Sequence, residues 1–377
     1  MVHPSIIYNL SVSARVLVNA EALNMAESVG NYTRHRKAPI IVQTEKGYSV
    51  IYVPAVSGES LAHAYQQVLA HIANQRGLPV TKMDLEGYFM KFSDDDIIEN
   101  YYSEIAEKLG VKPEEVKNKL KEIKQPGELE KLFVKSSVVA DVGGFLFTKK
   151  SSKSKSDGKQ SKDNSVIKQL KRTSAIRFSY LLPSLDAVQE GGAVVIPQLH
   201  VRYTPQAKKD EQALFYVESG SALYTLTTQL VISDIARLNY SETPDPELEG
   251  QRVKRVEAAI DALTALVDGL MFGAKRSRYM PQWDVRSIVV AFSRGPVEFN
   301  VSPGLSRDYI KKTYERAVTM SKIINNLIVN IYAYNGEGLE EPGGEPVKQV
   351  TFDKASSPAE AFAKAKDKII NILAAIR

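Results

Sequence analysis

An α+β fold follows from three features of the 377-residue sequence. Long alternating runs, Ser5 to Asn19 and Gly47 to Val56 first among them, read as half-buried strands, because successive strand side chains point to opposite faces. Apolar residues at helical spacing, as in Val253, Val256, Ile260, Leu263, Val267, Leu270 and Met271, read as an amphipathic helix. Strands broken by helices, with no internal repeat, indicate a sheet domain carrying insertions and not a repeat array.

In the first strand Ile6, Tyr8, Leu10, Val12, Ala14, Val16 and Val18 line one side, and Asn9, Ser11, Ser13, Arg15 and Asn19 the other. The first side is expected to build a core and the second to face a ligand. EALNMAESVGN then reads as a short helix or turn, with the basic string GNYTRHRK spanning Gly30 to Lys37. After the strand at Gly47 to Val56, SGESLAHAYQQVLAHIANQRG reads as a helix capped by Ser57 or Gly58, with Glu59 in its first turn and Gly77 past its end. An acidic helical pair follows, the first half closing on Gly110 and the second running from Pro113 to Pro126.

VVADVGGFLFTKK and IRFSYLLP flank a lysine- and serine-rich stretch, as two apolar arms flank the tip of a long hairpin. Phe145 and Phe147 are expected to pair with Phe178 and Tyr180. VVIPQLHVRYT alternates again, with Gln198, His200 and Arg202 on one face and Leu199, Val201 and Tyr203 on the other. YVESGSALYTLTTQLVIS continues as strand. Val285 to Phe292 reads as the last core strand and Arg307 to Tyr334 as a long helix.

The length suggests roughly two or three domains, and 44% hydrophobic content suffices for a sizeable core. No cysteine, no signal-peptide pattern and no apolar run near the ~18 residues of a membrane span lead to the expectation of a soluble, cytoplasmic protein. Absent cysteine with abundant Lys, Glu and Tyr would also suit a thermophile. The net charge of +5 is unevenly placed: Lys149 to Arg172 carries +7, which leaves −2 for the rest. Blocks of this kind are either solvated loops or arms that meet phosphate, here through Lys149, Lys150, Lys153, Lys155, Lys171 and Arg172.

Phosphate-loop, GxSxG and HExxH signatures are missing, as is any thiol, so hydrolase and NTPase chemistry lose their support. His63 and His71 lie about 80° apart around one helix, which disfavours a shared metal. His200 admits three roles: a general acid or base for RNA cleavage, a ligand-facing ring that stacks on a base or bonds a phosphate or 2′-hydroxyl, or a structural hydrogen bond. Ser57 and Ser60, with His63 beyond them, stand at a helix N-terminus that could hold a phosphate or only cap itself. Asn31, Arg34, His35 and Arg36 surround Tyr32, mixing charge with a stacking ring, although a solvated loop would look similar. AKRSRYMPQW adds Lys275, Arg276, Arg278, Tyr279 and Trp283, which could instead cap a helix C-terminus.

The strings VNAEALNMAESVGNYTRHRKAP, VPAVSGESLAHAYQ, ADVGGF, LHVRYT, SALYT and GAKRSRYMP together resemble the DevR-type, Cas-seven family, most closely its archaeal type I-A branch, in order over most of residues 10 to 295. That resemblance implies a modified RRM or ferredoxin-like core over 1–78 and 190–335, a helical insertion over 79–135, a thumb-like hairpin over 136–185 with a flexible basic tip at 149–172, and a C-terminal segment from 336 to 377. It implies a non-catalytic backbone subunit of a CRISPR interference complex in antiviral defence. Copies would polymerise in a helical filament along a guide crRNA by backbone contacts and display its bases to target DNA. Other expected partners are a Cas-five type subunit and the large and small Cascade subunits, with no cofactor, metal or membrane. Asn19 and His200 fall at positions that the family pattern places near RNA, with Ser13, Arg15, Arg202 and the basic groups above as further contacts. The aromatic strand signatures of a free RRM are absent, which fits backbone gripping better than base stacking. The alternative is a metal-independent endoribonuclease processing repeat RNA with His200 as catalyst.

Overall fold

Alternation in the first strand produces β1, Ile7–Glu21, the axis on which the other elements assemble. The computed structural model describes residues 6–89, 122–148, 169–202, 213–269, 271–343 and 347–375, with isolated positions at 105–106, 110–112, 115, 120 and 167. The acidic helical pair and the tip of the lysine-rich stretch therefore lie largely outside the described residues.

Two short ribbons follow β1. β2 (Met25–Val29) pairs antiparallel with β3 (Tyr32–His35), and β4 (Lys37–Thr44) with β5 (Gly47–Pro54). The helix or turn expected over residues 21–31 is thus a strand and a hairpin, because Gly30 at φ 59° permits the tight turn that folds β2 back on β3. Helix α1 (Gly58–Gln75) matches its sequence signals: the Ser57 hydroxyl accepts from the Ser60 N–H at 3.2 Å, and Gly77 turns the chain at φ 66°. Beyond it come α2 (Lys82–Glu86), α3 (Pro126–Ser136) and α4 (Val138–Gly143).

A hairpin does form after α4, between β6 (Phe145–Thr148) and β7 (Gln169–Arg172). Its second arm is not the expected one. Phe178 belongs to β8 (Ile176–Phe178), which pairs with Thr228 to Leu230 of another strand, and Tyr180 follows it outside any strand. β9 (Leu182–Pro183) and α5 (Leu185–Gln189) lead into β10 (Ala193–Arg202), and β11 (Ala213–Val231) returns beside it. The helical spacing read from Val253 onward becomes α6 (Pro246–Gly269). β12 (Gln282–Gly295) contains Val285 to Phe292 but is not the last strand. The long helix expected to Tyr334 stops as α7 (Tyr309–Ile323), since Asn326 at φ 64° breaks it and IVNIYAYN alternates as β13 (Ile328–Asn335). The 336–377 segment supplies β14 (Val350–Lys354) and α8 (Pro358–Ala375).

The main sheet runs β14-β13-β12-β1-β11-β3-β2, with β8, β9 and β10 also on β11. It is mixed, since β14 pairs parallel to β13 and β3 parallel to β11. Leu10, Val12, Ala14 and Val16 pack under α1, α6 and α8, against residues such as Tyr65, Ile260, Leu263 and Phe362. Each fully buried Leu, Val, Ile or Phe among them contributes on the order of 1.5–3 kcal/mol.

The opposite face of β1 is also covered, which corrects the expectation that it faces a ligand. Asn9, Ser11, Ser13 and Arg15 are wholly buried. They satisfy the backbone of an irregular segment laid across them: Asn9 Nδ2 donates to the Phe299 carbonyl at 2.7 Å, and Ser11 and Ser13 accept from the N–H groups of Val301 and Gly304. The Arg15 guanidinium donates to Asp186 at 2.8 Å, to Glu337 at 3.0 Å and to the Gly304 carbonyl at 3.0 Å. Ser13 and Arg15 are therefore unavailable to RNA. No described helix is long and apolar enough to cross a membrane.

Removing one partner from a buried ion pair leaves an uncompensated charge, at a cost of about 3–5 kcal/mol. Arg15→Ala should lower stability by that amount, measured as a shift of the urea unfolding midpoint.

Candidate nucleic-acid interface

The last residues of β1 form a bulge. Val18 pairs with Ala222 and Glu21 with Gly220, so β1 holds one residue more than β11 between the two pairs, and Ala20 takes φ 54°. Asn19 is turned half out of the sheet, its Nδ2 only 3.5 Å from Gln282 Oε1 at the start of β12. A basic turn stands at the same end. Gly273, at φ 138°, brings the chain so close to Leu23 that a Cβ there would sit 2.7 Å from Leu23 Cδ2, and the Ala274 N–H donates to the Leu23 carbonyl at 3.1 Å. The turn that follows presents Lys275, Arg276 and Arg278, and among the described residues no carboxylate pairs with them.

Tyr279 ends this turn with its hydroxyl in hydrogen-bond contact with His200 Nε2. The imidazole also stacks on Phe215, its partner across the β10–β11 hairpin, with ring centroids 5.3 Å apart. Burial, with Arg278 opposing it, raises the Tyr279 pKa, so the phenol stays protonated at neutral pH. Burial and then Arg278 lower that of Lys275. Asn19, the unneutralised cations and His200 are thus gathered at one end of the sheet, where they could bond phosphate oxygens and hydroxyls.

The GNYTRHRK string divides. Asn31 is exposed and donates to the Leu214 carbonyl at 2.9 Å; Arg34 is exposed and paired with Glu27 at 3.0 Å. His35 is buried, contrary to the role expected of it: Nε2 lies 2.6 Å from Glu21 Oε1 and Nδ1 2.7 Å from the Arg36 carbonyl. Both ring nitrogens face acceptors, which only the imidazolium serves. Burial alone would lower its pKa, but Glu21 raises it; burial would raise that of Glu21, but His35 holds it below the usual carboxylate value. Arg36 is half-buried, its Nε donating to Asn24 Oδ1 at 2.7 Å.

Ser57 is buried and engaged as the cap of α1. The carbonyl oxygens of Phe178 and Ser179 stand 2.6 and 3.3 Å from where a Cβ on Gly58 would be, so acceptors and not donors crowd this helix start. That counts against phosphate there; Ser60 is half-buried in the same cap. His63 is exposed, its ring 4.9 Å from that of Phe89. Arg172 is buried, donating to Glu130 at 2.8 Å and Asp141 at 2.5 Å, and so belongs to the base of the β6–β7 hairpin and not to an arm. Lys171 is exposed. Lys149, Lys150, Lys153, Lys155 and the side chain of Arg202 lie outside the described residues. Gln282 and Phe215 join the site with no local signal, because strand register alone brings them in. Among the described residues no three His, Asp or Glu groups gather to hold a metal ion.

The raised His35 contributes stability that is full below its ordinary value of 6.5 and is lost as pH rises through its folded pKa. The lowered Glu21 contributes stability present above 4.5 and lost as pH falls through its folded pKa. The gap in urea midpoint between the native chain and His35→Gln should therefore be widest between about pH 4.5 and 6.5 and close on the alkaline side.

A family model described as "CRISPR-associated negative auto-regulator DevR/Csa2" matches residues 12–314. The chain is 36% identical over 353 residues to "CRISPR-associated aCascade subunit Cas7/Csa2 2" of Saccharolobus solfataricus, covering 91% of this chain and 97% of that protein. It is 33% identical over 325 residues to "CRISPR-associated protein Cas7/Csa2 1" of the same organism, covering 84% and 89%. It also overlays on a chain of a "CRISPR RNA-guided surveillance complex, pre-nicking" with a TM-score of 0.45 and 9% identity, covering 97% of this chain and 99% of that one.

Proposed function

The chain belongs to the DevR/Csa2 family of CRISPR-associated proteins, and on that premise we propose that it is a non-catalytic, RNA-binding backbone subunit of an archaeal type I-A interference complex in antiviral defence. The observation that carries this reading is the basic turn Lys275–Arg278, which no described carboxylate neutralises, beside Asn19 and His200 at the open end of β1. Such a cluster suits a phosphate backbone, and a protein that grips the backbone leaves base edges free to pair with DNA. Copies of the chain, with an RRM-like core, would line up along the guide crRNA in the cytoplasm, joined by a Cas-five type subunit and the large and small Cascade subunits. The lysine-rich stretch from Lys149 would add a further nucleic-acid contact.

The contact of Tyr279 with His200, near Lys275, supports the nuclease alternative by assembling from β10 and the turn before β12 a His/Tyr/Lys set that no single motif contains. Against it, His200 Nε2 is already engaged and its ring is stacked on Phe215, which suits a positioned contact group.

Binding to single-stranded RNA should fall by about two to three orders of magnitude between 50 and 200 mM salt if about six phosphates are engaged; affinity that stays level would rule out a backbone grip. His200→Ala should weaken binding with no change in RNA integrity in EDTA, and metal-free cleavage that disappears in this variant would establish the nuclease instead. Deleting Lys153 to Lys162 should reduce affinity and flatten the salt dependence, measured by filter binding on the same RNA.

A further inference from the structure

Four large apolar side chains face outward together on one face of the β4–β5 ribbon. Tyr48, Val50 and Tyr52 alternate along β5, with Ile41 opposite Val50, and the two tyrosines are 77% and 73% exposed. Single exposed apolar residues are ordinary, but a contiguous set on one ribbon face marks a contact surface. At its edge an open groove is lined by Tyr52, Tyr32, Glu27, Arg34, Lys37 and Glu218.

Tyr32 is held in place by two partners. Its hydroxyl donates to Glu218 at 3.2 Å, and its ring stacks on Tyr216 with centroids 5.7 Å apart. Glu218 is itself fixed by the His35 N–H at 2.8 Å, so the ring is positioned from beneath. Arg34 and Lys37 add positive charge at the rim. Arg34 is committed only to a half-exposed pair with Glu27, which is worth little in water and can be exchanged for phosphate. Lys37 Nζ stands 3.7 Å from Glu218 Oε1 with its own side chain exposed. Aromatic faces beside exposed cations suit a nucleobase with its phosphate; a purely aliphatic wall would suit a protein segment instead.

We propose that this groove is a stacking subsite for one unpaired nucleobase of a single nucleic-acid strand, seated between Tyr52 and the Tyr32–Tyr216 pair with its phosphate toward Arg34 and Lys37. The subsite rests on the reading of the chain as a strand binder, but it adds a base contact where that reading needs only backbone. An RNA base and a DNA base present the same aromatic face, so either strand could supply it.

The test compares full-length protein binding to oligonucleotides of equal length and charge, with bases or with abasic sugars, as RNA and as DNA, by fluorescence anisotropy. The native chain should bind the base-containing strand about fivefold or more tightly than the abasic one, with RNA or with DNA. Tyr52→Leu should erase most of that difference and Tyr52→Phe should keep it; Tyr52 is too exposed for either to threaten folding. Equal binding to both strands by the native chain would overturn the stacking subsite and leave the backbone grip standing, whereas binding to neither would remove both. If Tyr52→Leu alters the sedimentation coefficient and not the base-dependent difference, the groove is an interface between protein chains and the proposal fails.

Discussion

Arg15 is a guanidinium at 0% exposure in the middle of a sheet, and much of the architecture serves to neutralise it. A buried charge of this kind is tolerated only when carboxylates and carbonyls surround it. Asp186 arrives from α5 and Glu337 from the loop beyond β13, elements that are far apart in the chain. Gly304 comes close enough to give its carbonyl, and a Cβ there would stand 2.9 Å from Arg15 Cγ. The same segment pins itself on Ser13, Ser11 and Asn9, so one polar strand face organises everything packed on that side of the sheet. Tyr309 extends the set, donating to Ser287, which in turn donates to Glu337.

Two further buried networks follow the same logic. Asp141 takes Arg172 and Arg255 together, while Glu130 takes Arg172 and the backbone N–H groups of Asn239 and Tyr240, locking the β6–β7 hairpin to α3, α4 and α6. His35 and Glu21 lock the first two ribbons to the end of β1. Arginine and histidine are thus largely consumed by internal pairing wherever the sequence places them on strands. The unpaired cations of the candidate interface sit in the turn after α6, and Arg34 and Lys37 keep exposed side chains paired with Glu27 and Glu218, so position distinguishes the groups better than residue type does.

Periodicity was enough to read β1, α1, β10, β11 and α6, because each is decided by neighbours within its own segment. It could not say that the polar face of β1 is covered, since that depends on residues 299–304 and on the partners 186 and 337. The β2–β3 hairpin is not legible although Gly30 and Asn31 carry a turn signal, because the flanking residues are polar and exposed and show little alternation. β13 reads as a continuation of the helix before it because IVNIYAYN is apolar enough to extend one, and Asn326 is the local break. Alternation alone places Asn19 and His200 on strands with polar neighbours, but their relation to each other is not legible in it. It arises through Gln282 and Tyr279, which the register of β12 and the turn before it carry to that end.

The bulge at Asn19 connects the fold to the site. Without the extra residue, side chains beyond Val18 would keep the alternation of the strand. With it, Asn19 turns toward solvent and Glu21 turns inward to meet His35 and Tyr224. Ala20 bears the cost as a non-glycine residue at φ 54°, a conformation that surrounding contacts must enforce; its N–H donates to Ser221 Oγ at 3.0 Å. Gly220 makes room on the opposite strand, where a Cβ would sit 2.6 Å from Glu21 Oε1. One inserted residue thus exposes a hydrogen-bonding amide beside the basic turn and, two residues on, drives a carboxylate into the core. That carboxylate, through His35, anchors β3 and the start of β4, which bear Tyr32, Arg34 and Lys37, so the strand end and the tyrosine groove share a single mechanical support.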